Sequence, residues 1–173
     1  LTQDNIKRML AYSSISHVGY VLIAVYTATT DSVAAALLYL LAYTFMISGA
    51  FAVITLVSGS EDRAHSIDDY KGLARREPLL AGVLTLMLLA MAGVPLTAGF
   101  IAKLDVFSAA VESQDYSLAI IGVIAAVIAA FFYLRVVVAM YMDGEEPHDE
   151  LPDAPPSGSV ALGTRVRIDI GTG

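Results

Sequence analysis

The sequence VAAALLYLLAYTFMISGAFAVITLV occupies residues 33–57 and contains no Asp, Glu, Lys, Arg or His. A helix needs about 20 consecutive apolar residues to cross the hydrocarbon core of a bilayer. A run of this length therefore predicts a membrane-spanning helix. Further apolar runs occupy residues 10–28 and 118–142, so the fold class predicted is an all-α, polytopic transmembrane helix bundle.

The overall composition also indicates a membrane protein. Hydrophobic residues make up 57% of the chain and charged residues 16%, whereas a soluble domain has roughly 45–50% and about 25%. The absence of cysteine excludes disulfides and iron–sulfur ligation. No nucleotide-binding loop or zinc-ligand spacing occurs either, so we expect no cofactor or metal on this chain. The net charge of −7 disfavours nucleic acid as a partner.

A fourth apolar run, residues 79–111, is interrupted. Gly93 and Pro95 fall in its middle, and proline removes a backbone donor and ends or kinks a helix. We therefore expect one span that is discontinuous at residues 93–97. The alternative is that the two halves are separate spans.

The distribution of basic residues predicts the orientation, because cytoplasmic loops next to spans are enriched in Lys and Arg. With a single broken span, residues 58–78 and the acidic, proline-rich residues 143–167 lie on the cytoplasmic side, and the opposite links 29–32 and 112–117 carry no basic residue. Two separate spans would move the end of the chain to the other side.

The chain starts with Leu and becomes apolar again at residues 168–173, so we expect an internal piece of a longer membrane protein that stops at the start of a further span.

Lys103 lies inside the second half of the interrupted span. A charged side chain in hydrocarbon costs at least about 2.5–3.5 kcal/mol unless protein groups or water compensate it. Because burial disfavours the charged form of an amine, a lysine there can gain and lose a proton, as a proton relay requires. The alternative is a structural lysine that reaches the interface or pairs with a carboxylate such as Asp105. The nearby interruption of the helix favours the relay, since transporters place ion sites at broken helices.

A polar stripe runs along the first span. Ser13, Ser16, His17 and Tyr20 follow the i, i+3, i+4, i+7 spacing of one helix face. Imidazole can carry protons near neutral pH, so His17 is a second candidate proton relay. Hydrogen bonding between helices is an equally good interpretation of the stripe.

Three other polar side chains within the spans are interpreted as structural. Tyr39 and Tyr43 lie one turn apart on the second span, and packing is the favoured interpretation of this pair. Arg135 lies about two turns from the end of the last span, from where its long side chain can reach the interface.

Three motifs occur in order along the chain: DNIKRMLAYSSISHVGY at residues 4–20, AGVPLTAGFIAK at 92–103 and FYLRVVVAMY at 132–141. Together they resemble the hallmarks of the antiporter-like membrane subunits of respiratory complex I and of the related Mrp-type cation/proton antiporters. Residues 43–51 and the DYKGL sequence at 69–73 are similar, more narrowly, to the subunit N group of NADH-quinone oxidoreductases. The resemblance covers residues 1 to about 142. It implies roughly the C-terminal half of such a subunit, with most of the second of two inverted repeats.

The resemblance implies a proton-translocating subunit of NADH:quinone oxidoreductase in the inner (plasma) membrane of the cell. In such a subunit Lys103 and His17 would be proton-relay residues. NADH, FMN, iron–sulfur clusters and quinone would be bound by partner subunits, and this chain would carry no redox site. Its partners would be other membrane subunits of complex I and the lipid bilayer. A subunit of a Mrp-type antiporter and a purely structural membrane segment are the alternatives.

Overall fold

The computed structural model describes residues 3–27, 29–59 and 64–142. The helices in these residues are α1 Ile6–Thr27, α2 Thr30–Ser58, α3 Leu73–Arg76, α4 Pro78–Ala92, α5 Ala98–Glu112 and α6 Tyr116–Tyr141, with a 3₁₀ turn at Ile67–Tyr70. The predictions made for residues 143–167 and 168–173 lie outside the described residues.

Three of these helices, α1, α2 and α6, are long and apolar enough to cross a membrane. Helices α4 and α5 have 15 residues each, which corresponds to about 22 Å of helix. The hydrocarbon core of a bilayer is about 30 Å thick. Neither α4 nor α5 can therefore span a bilayer alone.

The buried side chains form two clusters that are stacked along the bundle. One cluster joins the first half of α1, the second half of α2, α4 and the second half of α6. The other joins the second half of α1, the first half of α2 and α5. Since α1 and α2 run through both clusters, α4 and α5 follow one another along the bundle. The interrupted segment is one discontinuous helix, which confirms the expectation from the sequence.

The discontinuity has well-defined caps on both sides. Gly93 has left-handed backbone, with φ of 85°, and its N–H bonds back to carbonyls of α4, as in a glycine C-cap. Helix α5 begins at Ala98, where the Thr97 hydroxyl accepts a hydrogen bond of 3.3 Å from the N–H of Phe100. This is the usual arrangement of an N-cap threonine.

Helices α1 and α2 begin a few residues before the apolar runs, because polar caps start them. At α2, the Thr29 hydroxyl accepts from the N–H of Ser32 (3.1 Å), and the Ser32 hydroxyl accepts from the N–H of Thr29 (2.9 Å). This reciprocal pair is a capping box. At α1, the Asn5 side chain accepts from the N–H of Arg8 (3.0 Å). Polar residues that precede an apolar run can thus still belong to the helix.

The described part of the polar segment before α4, residues 64–77, is folded against the bundle, which its charge-rich sequence did not indicate. Its buried apolar side chains recur every third residue: Ile67, Tyr70 and Leu73. Ser66 forms an antiparallel bridge with Asn5 at the start of α1. The N–H of Gly72 donates to the carbonyl of Met142 (2.9 Å) at the end of α6. The start of α1 and the end of α6 are therefore held at the same end of the bundle.

Candidate functional site

Lys103 is buried in the bundle, with 5% of its surface exposed. Its Nζ donates hydrogen bonds to the carbonyls of Met91 (2.7 Å) and Ala92 (3.1 Å), the last residues of α4. The last carbonyls of a helix have no N–H partner within the helix, and they form the negative end of the helix dipole. The discontinuous helix has two half-helices, α4 and α5. The Lys103 ammonium, on α5, thus caps the end of α4. Its hydrogen bonds go to the backbone and not to Asp105.

Two glycines permit this close approach. A Cβ at Gly93 would lie 3.1 Å from Cδ and 3.3 Å from Nζ of Lys103. A Cβ at Gly99 would lie 1.8 Å from the carbonyl oxygen of Ala90, which is far inside van der Waals contact. The start of α5 can therefore pack on the end of α4 only because residue 99 has no side chain.

His17 on α1 is held at both ring nitrogens. Nδ1 lies 2.8 Å from the hydroxyl of Tyr39 on α2, and Nε2 lies 3.0 Å from the hydroxyl of Tyr133 on α6. The Tyr43 ring stacks on the imidazole with 4.3 Å between centroids. A neutral imidazole donates from one nitrogen and accepts at the other, and a phenol does both. Either tautomer of His17 can therefore satisfy both contacts.

The hydrogen bonds continue beyond His17. The Tyr133 hydroxyl also bonds to the hydroxyl of Ser13, one helical turn before His17 on α1. Ser13, Tyr133, His17 and Tyr39 form, in this order, an unbroken hydrogen-bonded series across three helices, which we call the polar chain. Beside it, the Tyr43 hydroxyl donates to Oγ of Ser14 (2.7 Å).

Tyr20 connects Lys103 to the polar chain. Nζ of Lys103 lies 5.3 Å from the centroid of the Tyr20 ring, within the range of cation–π contacts. The same ring meets the imidazole of His17 edge-on, with 6.0 Å between centroids. The Tyr20 hydroxyl is buried and makes no hydrogen bond to the described residues. The two residues singled out as relays therefore contact the same tyrosine.

Sequence reasoning located this region but not all of its members. Ser13, His17 and Tyr20 of the stripe are buried, whereas Ser16 is only partly buried. Tyr133 had no assigned role, although a tyrosine within an otherwise apolar run, two residues before an arginine, is a signal for it. Tyr39 and Tyr43, interpreted as packing residues, both make hydrogen bonds through their hydroxyls.

The groups that meet here are of types that can accept or donate protons. They are one amine, one imidazole and several hydroxyls. In the part of the chain that the structure describes, no group of three or more His, Asp or Glu side chains could hold a metal ion. An amine and an imidazole can take up and release protons, and hydroxyls can pass them on.

The family profile described as NADH:quinone oxidoreductase/Mrp antiporter, TM, matches residues 1–129. The chain belongs to this family. It is accordingly an integral membrane protein, in agreement with the three helices that can span a bilayer.

Curated relatives narrow the similarity to one kind of subunit. The chain is 42% identical to NADH-quinone oxidoreductase subunit N of Rhodococcus opacus, a match that covers 99% of this chain and 32% of the relative. It is 45% identical to subunit N 1 of Solibacter usitatus, over 94% of this chain and 34% of the relative. The chain thus spans about a third of the length of these relatives, less than the half that the resemblance implied.

A solved structure agrees with these matches. A chain of respiratory complex I from Thermus thermophilus with bound aureothin superposes with a TM-score of 0.71 at 30% identity, covering 84% of this chain and 33% of that chain. The bundle described above is therefore similar to part of a membrane subunit of complex I.

Proposed function

We propose that the chain is part of a proton-translocating membrane subunit of NADH:quinone oxidoreductase, in which Lys103 and His17 relay protons. The observation that carries the proposal is the buried Lys103 ammonium at the break of the discontinuous helix, beside the polar chain. The similarity to subunit N of several bacteria supports the choice of complex.

Lys103 would store the proton. Its ammonium is compensated by two carbonyls at the end of α4, and charge-assisted hydrogen bonds are roughly twice as strong as neutral ones. When the proton leaves, the neutral amine holds these carbonyls less firmly. The protonation of Lys103 is thereby coupled to the contact between the two half-helices.

The polar chain would conduct the proton. His17 takes up a proton at one ring nitrogen and releases another from the opposite nitrogen, while the hydroxyls of Tyr39, Tyr133 and Ser13 accept one proton and pass on another. Tyr39 belongs to the cluster around α5, and Ser13 lies nearer the start of α1. The route therefore runs along the bundle. Buried hydroxyls are nearly always hydrogen-bonded. A water bound to the buried Tyr20 hydroxyl would therefore join this proton route to Lys103.

The free energy for transport would come from other subunits. Electrons would pass there from NADH to quinone through FMN and iron–sulfur clusters, since this chain has no cysteine to ligate a cluster. The partners of the chain would be the other membrane subunits of the complex and the lipid of the plasma membrane.

The test is Lys103→Ala in the full-length protein, assembled in its complex in inverted membrane vesicles. NADH-driven proton uptake and NADH:quinone turnover are both measured. We expect proton uptake to be largely lost while the complex still assembles. Lys7→Ala, a lysine at the start of α1, is the matched control and should leave uptake unchanged.

Unchanged uptake in Lys103→Ala would reject the relay and leave a structural role. A subunit of a Mrp-type antiporter is the second candidate, because the family profile covers both classes. That candidate predicts exchange of Na⁺ or K⁺ for protons without NADH oxidation, and purification of the protein without iron–sulfur subunits.

A further inference from the structure

The end of α4 is arranged like a binding site for a small cation, and the Lys103 ammonium fills it. The carbonyl oxygens of Met91 and Ala92 converge on Nζ of Lys103, at 2.7 Å and 3.1 Å. Transporters coordinate Na⁺ with carbonyls at the C-terminal ends of half-helices, and K⁺ channels replace the hydration shell of their ion with carbonyls. The occupant at the end of α4 is instead a cation that is covalently attached to α5.

Tyr20 lies beside this place and contributes two further groups that favour cations. The centroid of its ring lies 5.3 Å from Nζ of Lys103, and the face of an aromatic ring attracts a ligand cation as well as an ammonium. Tyr20 is 2% exposed, and its hydroxyl makes no hydrogen bond to the described residues. A buried oxygen acceptor is therefore present near the two carbonyls.

The charge of this place depends on Lys103 alone. Both hydrogen bonds of its Nζ go to neutral carbonyls, and among the described residues no Asp or Glu side chain forms an ion pair with it. The place therefore has one positive charge while Lys103 is protonated and none after the proton leaves. A second cation beside the ammonium would meet a like charge in a buried position, where water and salt screen little.

The Lys103 side chain also occupies the space. Only 5% of its surface is exposed. On the side of Gly93, a single added Cβ would lie 3.1 Å from Cδ and 3.3 Å from Nζ of Lys103, which is tighter than ordinary van der Waals contact. An alkali cation could therefore reach the carbonyls of Met91 and Ala92 only by displacing the lysine. A proton needs no such displacement, because it binds to Nζ itself.

We propose that Lys103 determines which ion is exchanged at the end of α4. As a tethered cation it fills a site for Na⁺ or K⁺, so that only protons are taken up and released there. Without the lysine, the same two carbonyls and Tyr20 would bind an alkali cation. This inference rests on the proposed function, because it names the ions that the proton relay excludes.

The test is the equilibrium binding of radiolabelled Na⁺, or of radiolabelled Rb⁺ in place of K⁺, to the purified complex that contains the full-length protein. Choline is the only other cation in the buffer. Lys103→Ala removes the ammonium and leaves the carbonyls of Met91 and Ala92, which are backbone groups. Lys103→Arg keeps a positive charge at all times, because guanidinium is not deprotonated in proteins. Lys7→Ala is the control for the loss of a lysine elsewhere.

We expect the Lys103→Ala complex to bind one more alkali cation than the wild type, and an excess of the unlabelled ion to displace it. Lys103→Arg and Lys7→Ala should bind no more than the wild type. No extra Na⁺ or Rb⁺ in Lys103→Ala would overturn the proposal, and so would an equal gain in Lys103→Arg. Lys103→Ser allows the same comparison where Lys103→Ala fails to assemble.

This binding experiment is independent of the test of the proton relay. It involves neither NADH oxidation nor proton uptake, so the two hypotheses can fail separately. Loss of proton uptake in Lys103→Ala without a gained cation would retain the relay and reject the exclusion of Na⁺ and K⁺ by Lys103. A gained cation with unchanged proton uptake would reject the relay and retain the cation site.

Discussion

At the scale of single residues, the hydroxyl of Tyr133 is the link between His17 and Ser13. Tyr133→Phe removes this hydroxyl and keeps the ring. We expect NADH-driven proton uptake by the assembled complex to fall about tenfold, equivalent to about 1.4 kcal/mol in the barrier, because Nε2 of His17 loses its partner. Tyr116→Phe, an exposed tyrosine on the same helix, should have no effect. If both variants pumped like the wild type, the polar chain would not be the route.

Gly93 provides a second test at this scale. Gly93→Ala places a methyl group 3.1 Å from Cδ of Lys103, on backbone with φ of 85°. Left-handed backbone costs roughly 1–2 kcal/mol for a residue with a side chain. We expect lower thermal stability and a loss of proton uptake, as Lys103 is pushed from the end of α4.

The control for Gly93→Ala is Gly82→Ala. Gly82 is on the same half-helix with nothing within 4 Å of an added Cβ, and alanine favours helix over glycine. The Gly82→Ala protein should therefore keep the thermal stability and the proton uptake of the wild type. A Gly93→Ala protein that behaved like Gly82→Ala would show that the position of Lys103 does not depend on this contact.

Lys103 and His17 can be singled out from the sequence because a polar side chain inside an apolar run is a local feature. The partners of His17 cannot, since Tyr133 is 116 residues away along the chain. Likewise, the carbonyls that hold Lys103 are backbone groups, which leave no mark in a sequence. The proposed relay roles of both residues stay predictions until uptake is measured.

At the scale of elements, the discontinuous helix depends on how closely its halves approach. The break itself was predictable, since Gly93 and Pro95 interrupt an apolar run. The contact was not, because it is made by Gly99 and the backbone of Ala90, across the break. A helix cap can be recognised from local sequence, whereas a tertiary approach of two backbones cannot.

Gly99→Ala tests this contact. Because the added Cβ would lie 1.8 Å from the carbonyl oxygen of Ala90, the half-helices must separate, and overpacking of this kind typically costs about 1–3 kcal/mol. We expect a lower thermal midpoint of the purified complex and less assembled complex in the membrane. Gly19→Ala, with nothing within 4 Å of its Cβ, should assemble normally. Equal assembly of both variants would contradict the packing described here.

At the scale of the whole molecule, the basic side chains of the described residues, apart from the buried Lys103, lie at one end of the bundle. The basic residues near the start of α1 and in the folded segment before α4 lie at one end, which the hydrogen bond from Ile6 to His65 (3.0 Å) holds together. The links at the opposite end, residues 29–32 and 112–117, contain no Lys or Arg. Cytoplasmic ends of membrane proteins are enriched in these residues, so the end that carries α3 should face the cytoplasm.

The absence of cysteine from this chain makes the orientation directly measurable. Glu77→Cys and Glu112→Cys place one thiol at each end, both at exposed positions, in a full-length protein with any other cysteines replaced. A membrane-impermeant maleimide should label position 77 in inverted vesicles and position 112 in right-side-out vesicles, while a permeant maleimide labels both in either case. The reverse pattern would place α3 outside. Labelling of both positions from one side would mean that α4 and α5 re-enter the same face, and the bundle would then lack the single crossing on which the proposed proton route depends.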